Sequence, residues 1–287
     1  MMMDSDSDFY GDEDTVSALK ARVDDFDLAG WWENHDKFRI LVPHADPDNL
    51  PIARRLHNSC EGLPGARQLT ESVDEFLTRL PPATTDRNSD LPWIWIANPW
   101  IPPSDKTPDH KTLVGGGLER LRLFSEFIEK TNASGKTPFV IKRHISKERE
   151  AVIQDLRDLA VACNVLTGKW MLFPAPGLVN DVWGKIARAT TNNELGITAK
   201  VETREIYEKE RLICVYTADF RDKNDIARVL NRLRKLELVR QGGRQIYYKN
   251  DAWTELGIYG GNEWNIPASM YSSNEIFEYI KDHFPGR

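Results

Sequence analysis

The sequence has little cysteine and no long apolar run. Its three cysteines, Cys60, Cys163 and Cys214, are odd in number and widely spaced, with no C-x-x-C pair and no adjacent histidine cluster. This pattern excludes a disulfide framework and a zinc site and is typical of buried free thiols. No stretch approaches the roughly 20 apolar residues that span a bilayer, and the chain begins with acidic rather than basic residues. We therefore expect an intracellular protein, cytoplasmic or nuclear, with no membrane association, metal or cofactor.

Legible catalytic motifs are also missing. The sequence contains no H-E-x-x-H, no nucleophile elbow, no Walker loop and no dinucleotide fingerprint. Gly115-Gly116-Gly117 precedes a predicted helix, but no Lys-Ser or Lys-Thr follows it, so it predicts a flexible hinge rather than a phosphate loop. The sequence therefore indicates a protein that is not an enzyme.

Charge is distributed unevenly along the 287 residues, whose net charge is −6. Residues 1–90 hold 9 Lys and Arg against 19 Asp and Glu, a balance of −10, and residues 91–287 hold 29 against 25, a balance of +4. A ligand responds to the local distribution rather than to the total. We therefore expect any anion site in residues 91–287.

Composition divides the chain into three predicted parts. Residues 1–14 are acidic and poor in apolar groups, which predicts a disordered tail. Residues 15–90 read as a helical extension and linker, with one helix at Val16–Val23 and another that begins at a capping box of Ser72 and Glu75 and ends before Pro81. Residues 91–287 read as an α+β domain with a C-terminal extension.

Within residues 91–250 strands and helices alternate irregularly. The pattern predicts a long loop at Asn98–Gly117. It predicts strands at Leu91–Ala97, Pro138–Lys142, Lys169–Phe173, Gly196–Val201, Arg211–Thr217 and Gln245–Lys249, and helices at Leu118–Lys130, Lys147–Cys163, Asp181–Ala189 and Asp225–Leu236. Irregular order and a hairpin at residues 196–217 favour an α+β fold with a mainly antiparallel sheet and helices on one face.

The order of several motifs resembles translation initiation factor 4E. These motifs are Trp93-Ile94-Trp95-Ile96, Gly168-Lys169-Trp170, Asp181-Val182-Trp183, Gly196–Val201 and Leu212–Thr217. The ending is similar to the eukaryotic family of the basophilic-leukaemia-expressed protein, through Leu256-Gly257-Ile258-Tyr259, Asn262-Glu263-Trp264 and Tyr271-Ser272-Ser273. The resemblance implies a curved sheet with helices on its convex face.

Factor 4E-like proteins hold a methylated guanine between two tryptophans, and basic side chains neutralise its phosphates. By this resemblance Trp100 falls near the first stacking position, Tyr216 falls near the methyl group, and Lys200 and Arg204 flank the phosphate position, where the family's arginine is replaced by Glu202. No tryptophan occurs between Ile101 and Lys169, and His144 is the ring nearest the second stacking position. That departure argues against the usual methylguanosine sandwich.

A compact basic cluster, formed by Lys142, Arg143, His144 and Lys147, lies at a predicted strand-to-helix junction. Helix N-terminal amides favour anions, so this cluster is the first-ranked candidate anion site, with a charged turn balanced by Glu148 and Glu150 as the alternative.

Two functions follow as hypotheses. The first is a non-catalytic module that binds a nucleotide, a cap-like structure or an RNA end on the concave face of the sheet. The alternative is a protein-interaction scaffold in which the helical face, residues 118–130, 181–189 and 225–236, docks a peptide without nucleic acid.

Overall fold

A computed structural model describes residues 13–25, 27, 56–205 and 209–283. The chain separates into two compact units, Met1–Arg54 and Arg55–Arg287. The first contains helix α1 (Glu13–Asp24), which confirms the helix predicted at Val16–Val23. Most of the predicted acidic tail, residues 1–14, lies outside the described residues. The second unit contains the sheet and the other helices, to which the following paragraphs refer.

Six strands form one antiparallel sheet in the order β1-β3-β4-β2-β5-β6. Their bounds are β1 Trp93–Ala97, β2 Gly168–Leu172, β3 Thr198–Glu202, β4 Ile213–Thr217, β5 Tyr247–Asn250 and β6 Tyr271–Ser272. Pairing of β3 with β4 confirms the predicted hairpin.

Helices cover one face of this curved sheet. They are α2 Val73–Arg79, α3 His110–Asn132, α4 Pro138–Ala162, α5 Val179–Thr191, α6 Lys223–Lys235 and α8 Ser273–His283. The short helix α7 Asp251–Glu255 follows β5 directly. The predicted α+β class, with helices on the convex face, is confirmed. Among the described residues, no helix combines the length and apolarity needed to cross a membrane.

Alternation along the strands gives the sheet two different faces. The convex face is fully apolar in its centre, where Ile96, Ala199, Val215 and Trp170 follow one another across paired strands and are completely buried. The Trp170 indole donates to the carbonyl of Ile226 in α6, at 3.1 Å. The residues between these positions therefore point to the concave face.

Residues 56–90 pack within the same unit as the sheet. Ala66 forms a parallel bridge with Trp95 of β1, and the buried Phe76 of α2 meets Trp183 of α5 edge to face. The capping box predicted from Ser72 and Glu75 is present.

Two predicted elements are corrected. The segment Pro138–Lys142 is not a strand but the beginning of α4, which opens with proline at its first turn. Phe139, Val140 and Ile141 are strand formers, but packing of α4 on α3 overrides that local preference.

The predicted loop Asn98–Gly117 is too long, because α3 begins at His110 after an Asp109 cap. The three glycines lie inside this helix. Gly117 is buried against Leu256, so closely that an added Cβ would lie 2.4 Å from the Leu256 side chain. The prediction of a flexible hinge at the three glycines is therefore wrong.

Candidate binding site on the concave face

A cavity of about 550 Å³ opens on the concave face of the sheet. Its floor is formed by alternate residues of four neighbouring strands, among them Lys200 of β3, Cys214 of β4, Lys169 of β2 and Lys249 of β5. The segment after α7, from Tyr259 to Ser269, contributes the outer wall. Strand alternation thus places three lysines in one apolar hollow.

Lys169 and Lys249 are direct cross-strand partners, and both are almost fully buried. Like charges directly opposite each other destabilise a sheet unless other groups compensate them. The Lys169 ammonium is compensated by Asp251, whose Oδ1 lies 2.5 Å from Nζ, and it also donates to the Thr254 hydroxyl at 3.1 Å. The first residue of α7 therefore neutralises one of the two cations.

Among the described residues, the Lys249 ammonium makes its direct contacts with neutral groups. Its ammonium donates to the Ile258 carbonyl at 2.7 Å and lies 4.0 Å from the centre of the Tyr259 ring. Burial, and then repulsion from Lys169, lower the pKa of Lys249 to about 8, which outweighs the opposing effect of Asp251. An anion placed beside Lys249 would relieve that penalty.

The Lys200 ammonium lies in a box of aromatic rings. Its Nζ lies 4.1 Å from the ring centre of Trp93, 4.7 Å from that of Trp95 and 5.7 Å from that of Tyr216. Tyr216 and Trp95 stack with their ring centres 6.2 Å apart. Ring faces attract a cation, yet burial still lowers the pKa of Lys200. Within the described part of the chain, Nζ of Lys200 donates no hydrogen bond to an oxygen or nitrogen atom. Its N–H groups face only rings, and a stronger acceptor on a ligand can take them.

Glu202 is the acidic residue on the β3 side of the cavity. One of its carboxylate oxygens accepts a hydrogen bond from the Leu212 amide at 3.0 Å, which fixes the side chain at the edge of the floor. Cys214 is buried, and desolvation raises the pKa of its thiol to about 11. The neutral thiol therefore adds no charge to the floor at neutral pH.

Exposed aromatic rings surround the mouth. Phe173, Tyr247 and Tyr259 are 41%, 44% and 56% exposed, and all three line the cavity. Large aromatic side chains usually bury most of their surface. Three exposed rings around one opening form a stacking platform for a flat ligand.

A larger groove of about 660 Å³ lies on the helical side, between α2 and α5. Its charged residues Asp181, Lys185, Arg188 and Glu237 are all exposed to solvent. Water screens such groups strongly, so they cannot create the concentrated charge of the concave cavity.

The structure brings two of the residues selected from the sequence to the cavity. Lys200 lines it, and Tyr216 is part of the ring box around the Lys200 ammonium. Trp100 lies elsewhere, 45% exposed, with its indole donating to the Thr191 carbonyl at the end of α5. Arg204 pairs with Asp86 at 2.7 Å.

The basic cluster of Lys142, Arg143, His144 and Lys147 is exposed on helix α4. Because α4 begins at Pro138, the cluster does not stand at a strand-to-helix junction, and the helix N-terminal amides predicted beside it lie in the preceding turn. Of the two carboxylates predicted nearby, Glu148 is bound to Arg120 at 2.8 Å. Trp100, Arg143 and Lys200 do not share a hollow.

Sequence reasoning missed Lys169, Lys249 and Asp251. Lys169 and Lys249 share one sequence signal, because each lies next to an aromatic residue in a predicted strand. Strict alternation puts the lysine on the face opposite the buried ring, so Trp170 and Tyr248 could have indicated that both lysines point to the concave side. Asp251 had no comparable signal, because its role depends on the short helix α7. In the described residues, no group of three or more His, Cys, Asp or Glu is placed to hold a metal ion.

The fold and this cavity define a class of α+β protein with a curved antiparallel sheet and a cationic, aromatic-walled hollow on the concave face. Residues 19–257 match the family model described as basophilic leukemia-expressed protein Bles03, and the chain belongs to that family. This confirms the predicted resemblance to that family.

Two solved structures of Ascaris suum eIF4E-3 are similar to part of the chain. The complex with the m2,2,7G cap matches with 19% identity and a TM-score of 0.27, covering 34% of this chain and 54% of that chain. The complex with the m7G cap matches with 21% identity and a TM-score of 0.25, covering 30% and 52%. The chain thus spans about half the length of each structure, and at these TM-scores neither match indicates what it binds.

Proposed function

We propose that the protein is a binding module that holds a nucleotide or the end of an RNA on its concave face, without catalysing a reaction on it. The observation that carries this proposal is the convergence of Lys169, Lys200 and Lys249 in one cavity whose mouth is surrounded by exposed rings. Phosphate needs ammonium groups, and a base needs a ring face. Both requirements are met within one hollow of about 550 Å³.

Energetics support an anionic ligand. Burying an ammonium group without an anion is unfavourable, and the lowered pKa of Lys200 and of Lys249 reflects this cost. A bound phosphate would raise the pKa of both ammonium groups again and accept their free N–H groups. The cavity is therefore better suited to an anion than to a neutral or cationic ligand.

The direct test is binding of short RNAs, capped and uncapped, to the full chain by fluorescence anisotropy. Lys200→Met removes an ammonium that makes no hydrogen bond in the described residues. We expect it to weaken binding by about tenfold, the value of one charge-assisted hydrogen bond, and to reduce the salt dependence by about one ion. The matched control is Lys136→Met, which changes an exposed lysine between α3 and α4 and should leave affinity unchanged.

A Lys142→Met variant separates this site from the cluster selected by sequence. Loss of affinity in Lys142→Met but not in Lys200→Met would move the binding site to α4 and contradict the proposal. Equal affinity of the wild type and Lys200→Met for every RNA would also contradict it.

The alternative, a protein-interaction scaffold on the helical face, has weaker support. Leu118 and Leu123 of α3 are 48% and 44% exposed, but single exposed leucines are common on protein surfaces. A pull-down that recovers proteins after nuclease treatment, and whose yield falls with Leu123→Lys but not with Lys200→Met, would favour this alternative.

A further inference from the structure

Charges at the cavity nearly cancel. Three ammonium groups, on Lys169, Lys200 and Lys249, face two carboxylates, on Asp251 and Glu202, which leaves a net charge of +1. A site that binds a chain of phosphates needs several uncompensated cations. The net charge therefore limits how much negative charge the cavity can accept.

Free hydrogen-bond donors point to the same limit. Each ammonium has three N–H groups. Lys169 donates two hydrogen bonds, to Asp251 and Thr254, and Lys249 donates one to the Ile258 carbonyl. Lys200 donates none to the described residues. The donors that remain on β3, β2 and β5 are numerous enough for the three acceptor oxygens of one phosphate group.

Most of the remaining lining of the cavity is apolar or aromatic, apart from Glu202, Thr254 and Ser269. Beyond the lysines lie Met171 and Leu212 on the floor and the rings of Phe173, Tyr247 and Tyr259 at the mouth. A second or third phosphate would lie against these side chains and lose hydration without gaining a cation. A nucleoside would instead stack there.

On the basis of the proposed function, we propose that the group recognised is a single phosphate attached to a stacked nucleoside, and that di- and triphosphates bind more weakly. A monophosphate carries about −1.5 to −2 charges at pH 7, close to what a net charge of +1 can balance. Every further phosphate adds negative charge that no cation of the cavity meets. A free mononucleotide and the 5′-phosphate end of an RNA offer this same chemistry.

The test is isothermal titration calorimetry of the full chain with adenosine and guanosine mono-, di- and triphosphates. We expect the monophosphate of at least one base to bind about tenfold or more tightly than the triphosphate, a difference of about 1.4 kcal/mol. Short RNAs with 5′-hydroxyl, 5′-monophosphate or 5′-triphosphate ends identify the source. Tighter binding of the 5′-monophosphate RNA than of the free mononucleotide assigns the site to an RNA end, and the reverse order assigns it to the mononucleotide.

Glu202→Gln sharpens the test, because it removes one negative charge while keeping an oxygen for the Leu212 amide. We expect the preference for mono- over triphosphate to shrink by about fivefold or more. Glu129→Gln, an exposed residue of α3, is the matched control and should leave the preference unchanged.

The outcomes separate the two proposals. If triphosphates or capped RNA bind more tightly than monophosphates, the single-phosphate inference is wrong, whereas the proposed function stands. If no nucleotide or RNA binds to wild type or Glu202→Gln, both are wrong.

Discussion

Replacing Asp251 by Asn should weaken the fold and strengthen anion binding at the same time. The Asp251 carboxylate lies 2.5 Å from the Lys169 ammonium, and the two side chains are only 19% and 8% exposed. The Thr167 hydroxyl donates to the other carboxylate oxygen, also at 2.5 Å. Asn preserves the size of the side chain and removes the charge, so that Lys169 stays buried opposite Lys249 without an anion.

The expected loss of stability follows from this burial. Breaking a buried ion pair costs about 3–5 kcal/mol because one charge is left uncompensated. Since Asp251 keeps some contact with solvent, the lower value of about 3 kcal/mol applies. For a unit of this size, each kcal/mol corresponds to roughly 2–4 °C, so the melting temperature should fall by about 6–12 °C.

Thermal and urea unfolding, followed by circular dichroism, measure this change. Asp105→Asn, at an exposed position, is the matched control and should melt like the wild type. The double variant Lys169→Met with Asp251→Asn removes both charges and should recover most of the lost stability. In calorimetry, Asp251→Asn should bind a nucleoside monophosphate several-fold more tightly than the wild type, because the net charge of the cavity rises by one.

Two results would refute this reasoning. If Asp251→Asn melts at the wild-type temperature, the carboxylate does not compensate Lys169. If the double variant is no more stable than Asp251→Asn alone, the loss comes from α7 rather than from the buried charge.

Three further predictions concern separate features. Affinity for a phosphate ligand should fall above about pH 8, because Lys249 loses its proton there in the free protein. Folding stability should instead rise from pH 8 toward 10, because the unfolded state binds more protons than the folded state in that range. Calorimetry at pH 7 and 9 tests the fall in affinity, and urea unfolding at the same two pH values tests the rise in stability. Gly117→Ala should destabilise the protein by about 1–3 kcal/mol through overlap with Leu256, and Gly115→Ala, which meets no atom within 4 Å, should stabilise it by up to about 1 kcal/mol. Ser72→Ala should cost about 1 kcal/mol through loss of the cap of α2, and an unchanged melting temperature would contradict this.

Local patterns predicted two strands correctly, the edge strand β1 and the interior strand β4. Trp93–Ile96 and Leu212–Thr217 alternate or run as continuous apolar segments, and both form buried strands. The three cysteines are buried, as their isolation indicated. These features depend on short-range periodicity and composition, which a sequence displays directly.

The capping box was recognised from the sequence at Ser72 and missed at Ser272. Ser272 and Glu275 form the same reciprocal cap as Ser72 and Glu75, and Ile276 and Ile280 then recur at helical spacing in α8. The sequence therefore held a signal for this helix. The error at Pro138–Lys142 is of another kind, because only the tertiary contact of α4 with α3 decides between strand and helix there.

The candidate site could be predicted only in part. Lys200 was selected from the family resemblance, but the resemblance also directed attention to Trp100, and the basic cluster directed it to Arg143. Both residues lie outside the cavity. The pairing of Lys169 with Lys249 depends on the register of β2 against β5, strands separated by about 75 residues in the chain. A single sequence contains no direct record of that register.

The arrangement of Lys169 and Lys249 is itself unfavourable for the isolated fold. Apolar residues at two facing positions of a sheet would pack without the desolvation that two buried ammonium groups suffer. Asp251 compensates only one of them, and the other keeps a lowered pKa. Lys200 adds a third cation that has ring faces but, among the described residues, no hydrogen-bond acceptor. Two buried lysines and one half-buried lysine with unused donors make physical sense when an anion completes the cavity. For that reason we expect the bound state, not the free one, to be the more stable form of this unit.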